Sequence, residues 1–537
     1  MQPLLLLPLI LALAPASATV HVDVFPCLDS DAWSGEHVRA LRTFLEWCAD
    51  HGVKVAVFHY NTCEEAAPGI TQVIREFAGQ GVITLVGLHS TSHSMGDLPV
   101  SIQYLELKYN AEFLRESVGI NVNDRVLSVP YWVFSPRTLE ACALFGVRVI
   151  VSGNGPNTLS PEHDRVWDKV SFPGQLMIPG KFTVVGEVIY HLPAVSYPSL
   201  AAQSAALGTT VGEVLRRAVE SLIENGLVPT DRDVRLTLAV LVHPWELADS
   251  GTLEGIEGLL ELVSSGALDF DCNGVPVVFR LADPAEVVKD LEEGRFEGPV
   301  VSLPSPDYRY VLLSKGYKPW WELLRQCSSD ENAIHMIRTW REAVQTLECV
   351  DAELLTLLRA GRTEGLDTLL REVAETAVDE AELYNMVKNW DPAGAKRAVE
   401  RFREVADRLY SAVVRTFADF LSGLSRELEG VRELRELVSD VAGSVEELRA
   451  RVEAVEAEVT DLRLEVGLLR DELVGRTSRL EERVKSVEKR LSELENDIRG
   501  IKQGRESPGE RGGGALVVAP FAPPVPRGRG AWKRGIS

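Results

Sequence analysis

Between Thr19 and about Phe279, short β-branched apolar runs alternate with longer amphipathic stretches. The runs Val20–Phe25, Val53–Tyr60, Ile83–His89, Val126–Tyr131, Val147–Ser152, Phe182–Tyr190 and Leu236–His243 are nearly continuous in apolar residues. That pattern predicts strands covered on both faces. Between them, Glu36–His51, Pro68–Gly79, Leu98–Val118, Pro136–Phe145, Val211–Glu224 and Leu253–Val263 carry apolar residues at helical spacing. Strand and helix alternating at this length predict βα units and a parallel sheet. With about seven strands, the expected form is a distorted (β/α)7 barrel over residues 19–315.

The strand signal then stops. Over 316–423, Trp320, Trp321, Leu323, Leu324, Ile334, Ile337, Trp340 and Val344 recur at helical spacing, which predicts a helical bundle with these side chains in its core. Over 424–503 a heptad takes over. Val438, Val445, Val452, Val459, Val466 and Leu473 fall seven apart, as do Val441, Leu448, Val455, Leu462 and Leu469, with Glu and Arg between them. Two apolar seams with charged flanks predict a coiled coil, and hence a homodimer or homotrimer. After Leu480 the seam resumes at Val484, Val487, Leu491, Leu494, Ile498 and Ile501, one residue out of phase, so the supercoil is expected to be disturbed there. Such a coil would be about 110 Å long at a rise of 1.5 Å per residue. The stretch 504–537, with Gly512-Gly513-Gly514, several Pro and a basic end, is expected to be a disordered tail.

Residues 1–18 form an apolar run closed by Ala16-Ser17-Ala18, a small-x-small cleavage pattern. They predict a signal peptide and a secreted or cell-envelope protein, the alternative being a buried first strand or an uncleaved anchor. No stretch is long and apolar enough to predict a transmembrane anchor. The 537 residues exceed what one core serves. A net charge of −23 argues against a nucleic-acid surface, which needs clustered Lys and Arg. The seven Cys include no C-x-x-C pair, so a zinc ribbon or a thioredoxin-type site is not expected.

In a parallel barrel, chemistry collects where the strands end. Asp23, His59, His89, Tyr131, His191 and His243 all fall at or near expected strand ends, and the chain has only ten His. In Gly87-Leu88-His89-Ser90-Thr91-Ser92-His93 two imidazoles four residues apart can reach one ion. Imidazole suits Zn²⁺ and other first-row transition metals, and Asp23 is the candidate carboxylate that completes the set. The alternative is a pair of surface histidines in a loop.

Three further segments join this one: Pro130-Tyr131, then Ser135-Pro136-Arg137-Thr138-Leu139-Glu140 with Phe145-Gly146-Val147, and Leu241-Val242-His243-Pro244. In order and spacing the set resembles the polysaccharide deacetylase (NodB-homology) family of carbohydrate esterases over roughly Val20 to Phe270. The resemblance implies removal of acetyl groups from a polysaccharide, with a divalent metal (zinc, or else cobalt or nickel) held by Asp23, His89 and His93. It implies His243 as the catalytic acid and a substrate subsite at Pro130 and Tyr131, the Tyr131 backbone steadying the oxyanion. Trp132 and Trp245 lie near these residues and are candidates for stacking on sugar rings.

Two departures stand out. The family pairs two adjacent Asp on the first strand, base and ligand, where His21-Val22-Asp23 has one; Asp29 and Asp31 are then candidates for the base. The family's Arg two residues before Pro-Tyr is Ser128 here. His21-x-Asp23 also resembles the zinc-binding pair of family 38 glycoside hydrolases, which with family 57 follow such a barrel with helices. The remaining reading is a glycan-binding or structural surface protein whose barrel has lost its chemistry.

Overall fold

The computed structural model describes residues 18–161, 167–327, 329–389, 392–427 and 432–503. The expected signal peptide, apart from its last residue, and the expected tail lie outside these residues. The described residues divide into two units, one up to Glu427 and one beyond it.

Eleven strands form one sheet: β1 (Val20–Asp29), β2 (Val55–His59), β3 (Ile83–Leu88), β4 (Val122–Ser128), β5 (Val149–Ser152), β6 (Gly180–Val184), β7 (Glu187–Ser196), β8 (Val234–Val242), β9 (Phe270–Cys272), β10 (Val275–Leu281) and β11 (Val301–Ser302). Seven of them, β1-β2-β3-β4-β5-β7-β8, run parallel and close on themselves through β8 and β1. Alternate side chains point to opposite sides of each strand, which is why these runs read as continuously apolar. Phe25, Cys27, Ala56, Phe58, Leu85, Val126, Val149, Leu192, Ala239 and Leu241 pack together as one buried cluster. Their neighbours Val24, Leu28, Val57, Val86, Leu127, Ile150, Val240 and Val242 pack in a second, with residues of the surrounding helices. Gly87 makes room inside: a Cβ there would lie 2.4 Å from the Phe58 ring.

The strand limits differ from those expected at several ends, β4 spanning Val122–Ser128 rather than Val126–Tyr131, and two differences alter the topology. β1 runs four residues further, past Pro26. Over Val20–Val24 it pairs with β10, and over Cys27–Asp29 with β2. Pro26 sits where β1 changes neighbours, so its missing N–H interrupts no ladder on that side. One edge of β1 is thus shared, by β10 along its first half and by β2 along its last residues, and this is the barrel's distortion. The second difference is at Phe182–Tyr190, which is not one strand but the antiparallel hairpin β6–β7. Its turn residues Val185 and Gly186 have φ of 51° and 83°, the signature of a type I′ turn.

Seven helices follow the barrel over Tyr308–Ser314, Trp320–Gln326, Glu331–Glu348, Asp351–Arg359, Asp367–Thr376, Glu380–Asn389 and Pro392–Glu427. Leu323, Ile337, Trp340 and Val344 are buried in their core. That core also takes in Leu98, Ile102, Leu105 and Tyr109, from the barrel's own helix Val100–Ser117 and the residues before it. The helical layer and the barrel are therefore one compact unit. The second unit is a single helix, Arg432–Gln503, 72 residues long, on which Val441, Val445, Leu448, Val452, Val455, Leu462 and Val466 are each more than half exposed. No described helix is long and apolar enough to cross a membrane. All seven cysteines are free thiols, five of them buried.

Candidate functional site

The extended β1 ends at Asp29, and Asp31 follows in a tightly held loop. The Ser30 N–H donates to the Phe58 carbonyl at 2.9 Å, its hydroxyl meets His59 Nδ1 at 2.8 Å, and its carbonyl accepts from the Cys63 thiol at 2.6 Å. His89 directly follows β3, and its N–H is bound by Asn110 Oδ1 at 3.0 Å. His93 sits in the next turn with a φ of 65°. That turn is fixed by the buried Glu106, whose carboxylate accepts from the Ser92 N–H at 3.0 Å and the Ser92 hydroxyl at 2.5 Å. The two imidazoles stack 4.8 Å apart, 8° from parallel. Asp31 Oδ2 lies 3.3 Å from His93 Nε2, and its Oδ1 accepts from the Tyr60 hydroxyl at 2.8 Å. One ligand atom from each of Asp31, His89 and His93 falls within 4.8 Å of the other two.

These residues suit a divalent cation. Both ring nitrogens of His89 are buried and without a hydrogen-bond partner, as is Asp29 Oδ1, an arrangement that costs free energy unless something else meets those atoms. Burial, and then the charge of His93, hold the His89 ring well below its usual pKa, so it is neutral and free to ligate. Burial also disfavours charge on Asp31 and on His93. The pair outweighs it: Asp31 is held well below the carboxylate range and His93 is raised to about 9.

His243 directly follows β8. Its Nδ1 meets Glu246 Oε2 at 2.8 Å, which turns Nε2 toward Asp29 and Asp31, each 3.9 Å away. Burial lowers its pKa, but the Glu246 hydrogen bond and the Asp31 charge raise it to about 9. Burial raises Asp29 to about 6 against the opposing charge of His243. At neutral pH, then, one protonated and one ionised group face each other across the site.

Pro130, Tyr131 and Trp132 form a short turn after β4. Tyr131 and Trp132 have φ of 53° and 56°, a conformation that costs non-glycine residues free energy and persists only where the surroundings impose it. Asn154 Nδ2 holds the Trp132 carbonyl at 2.6 Å, and the Trp132 ring covers Gly153, where a Cβ would overlap it. The Tyr131 hydroxyl donates to Glu382 of the helical layer. At the mouth, Trp33 and Trp245 stack 5.9 Å apart, 58 % and 40 % exposed. The cavity, 620 Å³, is lined by Asp29, Asp31, His93, Tyr131, Trp132, His243 and Trp245 among others.

Asp23 belongs elsewhere. It lies in the first half of β1 with its Oδ2 2.7 Å from Arg235 and its Oδ1 2.5 Å from Arg280. Both oxygens are taken by guanidinium groups, so Asp23 is placed neither to ligate with His89 and His93 nor to act as a base beside His243. It is Asp31 that comes within reach of His89 and His93, with Asp29 beside it. The same placement removes His21-x-Asp23 as a zinc pair, since both residues precede the strand ends. His59 and His191 are also structural. His59 bonds Ser30 and Thr71, His191, inside β7, bonds Ser152 of β5, and burial lowers each to about 3. The sequence pattern gave no sign of Glu382, Asn385 and Tyr317, which reach the cavity from the helical layer, or of Trp33. Glu246 had one, a carboxylate three residues after a strand-end His, as in a capping box.

No protein-family model matches the chain, and no curated protein matches it. Among solved structures it is similar to a candidate polysaccharide deacetylase from Mycobacterium smegmatis, at 13 % identity and a TM-score of 0.36, over 54 % of this chain and 96 % of that one. It is similar to a family 57 branching enzyme from Thermococcus kodakaraensis, at 12 % identity and a TM-score of 0.41, over 76 % and 94 %. It is also similar to an alpha-mannosidase from Enterococcus faecalis, at 10 % identity and a TM-score of 0.37, over 75 % of this chain and 43 % of that one. Likeness of this order concerns the course of the chain and carries nothing about chemistry.

Proposed function

We propose that the chain is a metal-dependent carbohydrate-active hydrolase that removes acetyl groups from a cell-envelope or extracellular polysaccharide. The observation that carries the proposal is the His89 ring, buried with both nitrogens unpartnered beside Asp31 and His93. In this reading Asp31, His89 and His93 hold a divalent cation, zinc or else cobalt or nickel. Bound there, the cation supplies polarisation of an acyl carbonyl and a water acidic enough to ionise near neutral pH. Asp29, ionised at neutral pH, takes the proton of the attacking water. The main-chain N–H of Tyr131, held by its strained turn, donates to the oxyanion. His243 then delivers the proton from Nε2 to the leaving amine or hydroxyl, with Glu246 fixing the ring through Nδ1. Trp33, more than half exposed at the mouth, offers a flat face to a sugar ring, whereas Trp245 stacks on both Trp33 and His243 and Trp132 lies against Gly153 with Lys315 over its ring.

The test is metal content of the purified full chain after exposure to Zn²⁺, Co²⁺ and Ni²⁺, beside the His89→Ala, His93→Ala double variant, followed by acetate release from acetylated glycans. About one metal per chain, lost in the variant, and acetate release that depends on it are expected. No metal in the unaltered chain refutes the hydrolase. Ser128, which stands where the family carries an Arg, favours one second reading, a glycan-binding surface protein. It requires glycan binding with neither acetate nor reducing sugar released, whereas reducing sugar points to a glycoside hydrolase. Self-association through the helix Arg432–Gln503 is part of the same proposal, as is a location outside the cytoplasm.

A further inference from the structure

Part of the cavity wall is built by the helical layer rather than the barrel. Glu382 and Asn385, on the helix Glu380–Asn389, and Tyr317, before the helix Trp320–Gln326, line the same space as Asp29, Asp31 and His243. The layer is fastened to the loop that carries His93. Asp379 Oδ2 accepts from the Met95 N–H at 3.0 Å, while its Oδ1 accepts from the Glu382 N–H at 2.8 Å. Glu382 is only 7 % exposed and takes the Tyr131 hydroxyl.

With Glu382 counted, four carboxylates line the cavity: Asp29, Asp31, Glu246 and Glu382. No Lys or Arg does so among the described residues. A dication at Asp31, His89 and His93 together with the His243 imidazolium still falls short of four negative charges. Desolvation first, and then the charges of Asp379 and Asp31, push the Glu382 carboxyl upward against the Tyr131 hydroxyl and His93. A ligand that brings a hydrogen-bond donor or a positive charge relieves this crowding. One that brings a carboxylate or a sulfate adds to it and finds only the His243 imidazolium, which Asp29, Asp31 and Glu246 already face.

We propose that Glu382 is a specificity-determining residue, through which the helical layer makes the cavity admit neutral and amine-bearing saccharides and exclude carboxylated or sulfated ones. This rests on the carbohydrate reading above, since it concerns which saccharide the same cavity takes.

The test is calorimetric titration of the zinc-loaded full chain with three tetrasaccharides: glucosamine, N-acetylglucosamine and galacturonate. The glucosamine oligomer is expected to bind at least about tenfold tighter than the galacturonate, with an advantage that shrinks as salt is raised. Glu382→Gln, which keeps an acceptor for Tyr131, should narrow that ratio at least about threefold. Should this variant lose its cooperative melting transition, the salt dependence of the unaltered chain decides instead. Galacturonate bound as tightly as glucosamine, or a ratio unchanged in folded Glu382→Gln, overturns the selectivity alone. Failure of all three oligomers to bind overturns the carbohydrate reading and the selectivity with it.

Discussion

Asp23 and Asp31 lie eight residues apart and do opposite work. Asp23 is a buried charge answered by two guanidinium groups, of which Arg280 is the more exposed. Removing one partner of such a group strands the other, so Asp23→Asn should cost about 3 kcal/mol of stability in urea unfolding and leave metal content intact. Asp31→Asn should lose metal, which Asp23→Asn does not, and in the metal-free chain it also costs stability by stranding His93. Glu106 carries a pH signature. Burial raises it to about 8 against the Ser92 hydrogen bonds, so the folded chain binds its proton more tightly than the unfolded chain does. Its contribution to stability is therefore full below the ordinary glutamate range, about pH 4.5, and is lost as pH rises through 8. Glu106→Gln should flatten the difference between urea midpoints measured at pH 5 and pH 8. At this scale the sequence was legible at and just beyond the strand ends: His89 and His243 directly follow β3 and β8, and His93 lies in the turn after His89. The acidic partner was misplaced because Pro26 reads as the end of a strand, and only the exchange of β10 for β2 beside it lets β1 continue. Glu382 had no local signal, since its role depends on a contact 251 residues away in the chain.

Among the elements, the barrel strands were visible because continuous apolar runs need cover on both faces. The hairpin β6–β7 was not, because its two-residue turn contains Val185, a β-branched residue poorly suited to a left-handed conformation. The long helix poses a different question. An isolated helix in water exposes its apolar seam at a cost proportional to area, and pairing with further copies removes that cost. The full chain is therefore expected to be a dimer or trimer by sedimentation equilibrium. Removing everything after 427 should give a monomer, and Leu448→Glu with Val455→Glu should weaken assembly at least about tenfold. A truncated chain that still assembles would assign the contact to the first unit instead.

For the whole molecule, the shared core of barrel and helical layer decides what can be cut. A chain ending at 315 would bare Leu98, Ile102, Leu105 and Tyr109, which are buried against the helices. It should be poorly soluble and lack a cooperative melting transition, whereas a chain ending at 427 should melt as one unit by calorimetry. Sequence periodicity showed where the helices are but not what they cover. An amphipathic face says that it needs a partner without saying which one.

Asp379 gives this dependence a clock. Its two oxygens grip Met95 and Glu382, and 284 residues separate Met95 from Asp379. A ribosome adding 5–20 residues per second needs roughly 15–60 s to travel between them. Through that interval the loop that carries His93 waits for its partner, and even once β8 and His243 have been made the barrel still lacks the wall that carries Glu382. Whatever the pocket does, it begins only after the helical layer has been made and docked.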